Sequence, residues 1–188
     1  MSFGIRDHHE PMTTAISNAL SKQTLLFAAA SNDGGNSRRA FPAAFTSVFC
    51  IHSTDGQGNS SRFNPTAKVA GVNFSLLGEH VRSDWPAGVN GISQLVNTMS
   101  GTSVATPIAA GLAASILCFV DQQDQHVGAD ERLRLWLTEY GSMKEIFMSM
   151  AESRGDYHYI RPHALFSRGS TRNLVYEHIR NIRRNMYQ

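Results

Sequence analysis

The longest apolar run in the chain, PIAAGLAASILCFV, covers the fourteen residues Pro107–Val120 and follows directly on a loop of small, hydroxyl-rich residues, NTMSGTS, at 97–103. Thr102 to Val120 reads as one helix, apolar round most of its circumference, and such a helix belongs inside a protein rather than on it. The run is shorter than the ~20 residues a membrane span needs. With 188 residues, the chain has room for one domain with a sizeable core plus a short appendage.

What lies upstream of that helix has the grammar of a mostly parallel α/β sheet. MTTAISNALSK sets Ile16 and Leu20 four apart, a short amphipathic helix. TLLFAAA is continuously apolar and ends in SNDGGNS, a strand buried on both faces followed by a turn. TSVFCIHS is a second β-branched and aromatic run, and KVAGVNFSLL, interrupted at Gly71, reads as a third strand or an edge excursion. Beyond Asp121 the composition turns polar, which places a boundary near residues 122–128 and divides the chain into 1–121 and an α-helical extension, 122–188. In the extension Leu133, Trp136 and Leu137 share a helical face, Gly141 marks a break, and a last helix aligns Leu174, Val175, Ile179 and Ile182. These helices are expected to pack on the α/β core.

A formal charge of +2 implies no obligatory nucleic acid or anionic membrane. Arg180, Arg183 and Arg184 read as a solvated helix face. Cys50 and Cys118 both lie in apolar runs, as buried free thiols would, which fits a reducing compartment. MSFGIRDHHEP has no basic stretch leading into an apolar one, so an intracellular protein is expected. The glycosylation-type tripeptides at Asn59 and Asn73 matter only in a secreted chain.

Ser103 stands at the first turn of the apolar helix, where unpaired N–H groups and the helix dipole favour negative charge on a nucleophilic oxygen. Gly101 allows close approach of another backbone. Ser and Thr are equally the ordinary caps of helices, so the position by itself supports either reading.

The wider match separates the two. SGTSVATPIAAG closely resembles the nucleophile signature of the subtilisin-like serine proteases, Gly-Thr-Ser-x-Ala-[Ser/Thr]-Pro followed by small residues; Gly101, Thr102, Ser103, Ala105, Thr106, Pro107 and Gly111 fit it. LLFAAASNDGGN is similar to the family's buried strand ending in Ala-Ala-Gly-Asn, which implies Asn32 as an oxyanion donor and Ala29, Ala30 and Ser31 as a substrate-binding wall. AFPAAFTSVFCIHSTD resembles the next block and implies a cis Phe41–Pro42 bond, with Thr46 in place of a second Pro. MSFG resembles the strand lining the substrate channel, so Ser2, Phe3 and Gly4 are implied to pair with substrate backbone, and Gly101 and Thr102 to flank it. The implied fold is a subtilisin-like, mostly parallel sheet with flanking helices. The implied chemistry is peptide-bond hydrolysis through a serine acyl-enzyme, on a polypeptide substrate and with no organic cofactor. Structural calcium is common in relatives, although no acidic cluster here specifies it.

In this family the acid and base precede the nucleophile, Asp then His then Ser. Their blocks would lie upstream of MSFG, so an N-terminal part of the domain is expected to be missing and the chain alone to be inactive. That part is then an expected partner. His8 and His9 read as solvated loop residues, and His52 and His80 as structural. His158, His163 and Asp156 would suit the Ser, acid, His order of an α/β-hydrolase, but Ala105 breaks that elbow. A non-catalytic remnant that binds peptides is a further alternative. Ser31 replaces the usual Gly and narrows the wall, Asp33 reads equally as an attractor of a basic side chain and as a solvated loop residue, and Ile108 stands where many relatives carry His.

Overall fold

A computed structural model describes residues 1–86, 95–127, 130–167 and 169–187. Its strands β1 (Phe27–Ala29), β2 (Phe49–Thr54) and β3 (Phe74–Leu77) pair in parallel, with Phe27 opposite Phe49 and Ile51 opposite Phe74. Alternation along β1 and β2 divides the core in two. Phe27, Phe49 and Ile51 face one large cluster, while Ala28, Ala30, Val48 and Cys50 face a smaller one closed by Ile16 of α1 (Glu10–Ser21). An antiparallel pair, β4 (Val81–Asp84) and β5 (Val96–Met99), stands apart and leads into α2 (Thr102–Val127).

α2 is longer than the apolar run, and Thr102–Asp124 has the length and composition of a membrane span. Its contacts are those of a core helix. Ala105, Ala109, Ala113, Ile116 and Val120 recur at helical spacing, are all buried, and join the large cluster over β1 to β3. The expectation of burial all round is corrected here: Pro107, Ile108, Gly111, Ala114, Ser115 and Cys118 are exposed. Cys118 is therefore an exposed free thiol, not a buried one, and only Cys50 is enclosed.

The sheet also draws on the segment the sequence set apart. α2 runs through residues 121–122 to Val127, followed by α3 (Glu131–Leu137) and α4 (Tyr140–Ser149). The extension carries helices as expected, and also an unforeseen hairpin, β6 (Ala151–Arg154) and β7 (Tyr157–Ile160). β7 lies parallel to β3, which gives the order β1-β2-β3-β7-β6 with only β6 antiparallel. Buried Asn73 fastens this junction: its side-chain amide donates to the carbonyls of Lys68 at 3.1 Å and Asp156 at 2.9 Å, and its Oδ1 accepts from Lys68 N–H at 2.8 Å. Gly58 leaves room for Tyr159 of β7, whose ring would lie 2.6 Å from a Cβ there.

Leu133, Trp136, Leu137, Ile146, Phe147 and Ile179 share the large cluster with the lower half of α2, so the helices pack on the sheet domain. The break in this region falls at Thr138–Glu139, between α3 and α4, and Gly141 lies inside α4. On α5 (Arg172–Asn185), Leu174 is exposed and Tyr176 takes its place in the core, donating its hydroxyl to Asp124 at 2.5 Å. The Phe41–Pro42 peptide is cis.

Candidate active site

A tight seam places the Ser103 loop on the ends of β2 and β3. Gly78, just past β3, accepts from the N–H of Gly101 at 2.7 Å, and Thr54 O accepts from Gly78 N–H at 2.9 Å. A Cβ at Gly78 would lie 2.5 Å from Ser53 Oγ and 2.8 Å from Gly101 O, so only glycine lets the segments approach this closely. Beneath it, buried Asn64 holds both backbone groups of Ser53, accepting from its N–H at 2.9 Å and donating to its carbonyl at 2.7 Å. Sequence reading missed Gly78, Ser53 and Asn64; their only trace was a glycine closing an apolar strand.

On this base the side chains of Asn32 and Ser103 converge. Asn32 follows β1, and its Oδ1 accepts from the N–H of Thr102 at 2.9 Å and from its hydroxyl at 3.1 Å. Both lone-pair directions of that oxygen are used, which turns the amide's donor end the other way. Nδ2 points towards Gly101, where a Cβ would lie 3.0 Å from Ser103 Oγ and 3.2 Å from Asn32 Nδ2. A hydroxyl and an amide donor therefore border one small space that any side chain at residue 101 would fill. The N–H of Ser103 has no acceptor among the described residues, as the first turn of a helix allows. A nucleophilic hydroxyl and an amide donor bordering one space, with an unpaired N–H on the same serine, are the groups that a carbonyl carbon and its developing oxyanion call for.

Around this point lies a cleft of about 330 Å³, lined by Ser2, Phe3, Gly4, Ala29, Ser31, Asn32, Thr102 and Ser103 among others. Met1 pairs with β1, donating to Phe27 O at 2.6 Å and accepting from Ala29 N–H at 3.1 Å, and Ile5 bridges to Phe41. Between them Ser2, Phe3 and Gly4 make no backbone hydrogen bond among the described residues, so their N–H and C=O groups form an open edge. Of the residues sequence brought to the site, Ala30 and Gly101 do not line the cleft; Ala30 is fully buried in the smaller cluster and Gly101 is buried beside Ser103 and Asn32.

Ser31 has φ of 147°, a conformation that favours glycine. Its hydroxyl donates to Asp33 Oδ2 at 3.0 Å and accepts from Asp33 N–H at 3.1 Å, which offsets part of that strain and holds the carboxylate in the cleft wall.

Among the described residues no His bonds to Ser103 Oγ. The His8 ring is engaged by the Thr13 hydroxyl at 2.7 Å and lies tilted at 57° to the Phe41 ring, 5.5 Å between centroids. His52 is buried in β2 against Phe74 O, and burial, then the charge of Arg39, pushes its pKa down to about 3, so it stays neutral. His158 lies on β7 beside the Phe74 ring, and His163 in a 3-10 turn, Pro162–Ala164. No group of three His, Cys, Asp or Glu side chains converges to hold a metal among the described residues.

Residues 1–159 match the family described as the subtilase family, Peptidase S8. The chain is 30% identical over 142 residues to the minor extracellular protease Epr of Bacillus subtilis (strain 168), covering 76% of this chain and 21% of that protein. It is 31% identical over 154 residues to the subtilisin-like protease het-Q2 of Podospora anserina, covering 78% and 41%. The solved prenylagaramide maturation protease PagA has a like fold, with a TM-score of 0.67 at 20% identity, covering 95% of this chain and 60% of that one. The chain therefore spans between about a fifth and two fifths of these curated relatives.

Proposed function

Since the chain belongs to the subtilase family, we propose that Ser103 is the nucleophile of a serine-type endopeptidase and that Asn32 Nδ2 and the Ser103 N–H stabilise the oxyanion. The observation that carries this is the convergence of Ser103 Oγ and Asn32 Nδ2 on the space above Gly101, with Asn32 Oδ1 anchored to Thr102. A substrate strand would lie along the open backbone of Ser2–Gly4, with its carbonyl carbon at Ser103 Oγ. Attack forms a tetrahedral intermediate; its collapse expels the amine and leaves an acyl-enzyme, which water then hydrolyses.

That sequence requires a base to take the Ser103 proton and return it to the leaving amine. The base and its orienting acid are proposed to come from polypeptide outside these 188 residues. Two facts support this: the free face of α2 is apolar and small, and this chain spans only 60% of the solved PagA chain. Asp33 in the wall would favour a basic substrate side chain. Residence in a reducing compartment is proposed on the two free thiols, Cys50 and Cys118. The absence of a His at Ser103 among the described residues favours a second reading, in which the cleft binds peptides without cleaving them.

Fluorophosphonate labelling, with Ser103→Ala as control, tests the proposal. Loss of the base costs about 10⁶ in kcat in proteases of this kind, so labelling of the folded chain should be very slow, should depend on Ser103, and should rise with added imidazole as a surrogate base. A folded chain that stays unlabelled in imidazole would leave the peptide-binding reading. Labelling that survives Ser103→Ala would overturn the assignment of the nucleophile.

A further inference from the structure

Away from the cleft, a cavity of about 440 Å³ is lined by Asn36, Ser37, Arg38, Arg39, Thr66 and Lys68, with Ala44 and Ala67. Three cationic side chains border it and no carboxylate does. Among the described residues none of the three lies within ion-pair distance of an Asp or Glu, whereas Arg134 pairs with Asp121 and Arg183 with Asp130.

Arg39 is the most constrained of the three. It is half-buried, one guanidinium nitrogen donates to the neutral acceptors Val72 O and Asn73 Oδ1, and its Nε is buried with no acceptor. A guanidinium drawn from water costs free energy unless a counter-charge meets it, and here only dipoles do. Its charge is felt in the interior: burial and then Arg39 lower the pKa of His52, and at Cys50 burial raises the pKa while Arg39 opposes part of the rise. Arg39 and Lys68 also line an adjoining cavity of about 200 Å³ that reaches Val48, Phe49 and Tyr140. The two cavities thus share Arg39, Ala44 and Lys68 in their walls.

We propose that the Arg38–Arg39–Lys68 cavity binds a small, multiply charged anion bearing phosphate or carboxylate groups. Arg38 and Lys68 reach it from the exposed rim and Arg39 from the floor, so an anion seated there completes the coordination that the protein leaves open. This cavity shares no lining residue with the Ser103 cleft.

Calorimetric titration of the folded chain with inorganic pyrophosphate and, separately, citrate at constant ionic strength tests it. Saturable binding of at least one is expected; pyrophosphate alone would identify phosphate chemistry and citrate alone carboxylate. Each cation removed should weaken binding about tenfold or more, the range for charge-assisted hydrogen bonds. The double variant Arg38→Ser/Lys68→Ser changes only exposed side chains, so it should bind at least about a hundredfold more weakly with an unchanged circular dichroism spectrum. No saturable heat with either anion, or affinity undiminished in a folded double variant, would overturn the proposal.

Discussion

One face of α2 buries Ala105, Ala109, Ala113, Ile116 and Val120 against the sheet; the other presents Pro107, Ile108, Gly111, Ala114, Ser115 and Cys118 to solvent. Both faces are made of small or apolar residues without charge, and their surroundings are opposite. The difference teaches that apolar character says only that a surface can be buried. Whether it is buried depends on what packs there.

The largest effect that would break this contrast is a truncation on each face. Ile116, fully buried, should cost about 2–5 kcal/mol on replacement by Ala, and Ile108, 37% exposed, less than about 1 kcal/mol. Urea melts of Ile116→Ala and Ile108→Ala measure both; equal losses would mean the exposed face is occupied in solution.

A glycine pair sharpens the comparison. Gly78→Ala forces a Cβ to 2.8 Å from the backbone oxygen of Gly101 and should cost about 1–3 kcal/mol, together with loss of Ser103 labelling. Gly111 has nothing within 4 Å, so Gly111→Ala should stabilise the isolated chain by about 0.5–1 kcal/mol through helix propensity. If further polypeptide packs on that face, the same change should weaken its association. Thermal melts with and without that polypeptide separate the two effects.

Acid titration probes the sheet beneath α2. His52 is held near 3 against an ordinary 6.5, first by burial and then by Arg39. The unfolded chain binds a proton in that window and the folded chain does not, so stability falls as pH drops from 6.5 towards 3. The slope from this group is at most about 1.4 kcal/mol per pH unit. Urea midpoints at several pH values should show a flatter acid limb for His52→Gln than for the unaltered chain.

The smallest energetic effect is the most direct to read. Cys118 is exposed on the free face of α2, whereas Cys50 is enclosed and its thiol is pushed up to about 12 by burial. A thiol reagent should therefore titrate one group in the native chain and two in denaturant. Two reactive thiols in the native chain would contradict the enclosure of Cys50.

Much of the candidate site was legible because its signals are local. Gly101-Thr102-Ser103 and the strand leading to Asn32 are short patterns, and each needs its residue types for reasons internal to a few residues: a close approach, a helix start, a turn out of a strand. The supporting seam was not legible. Gly78, Ser53 and Asn64 are separated along the chain, and their roles exist only once the ends of β2 and β3 meet the Ser103 loop.

By itself the sequence determined α1, the strands around Phe27 and Phe49, the α2 core stripe and the helical character of much of 131–185, since hydrophobic period and turn chemistry act within one element. Only the tertiary structure decided which face of α2 is covered, that Tyr176 rather than Leu174 enters the core, and that Tyr157–Ile160 joins β3. Periodicity defines a face but not its neighbour. Strand pairing across some eighty residues of chain depends on backbone groups that every sequence has, so its partner is selected by packing and by anchors such as Asn73.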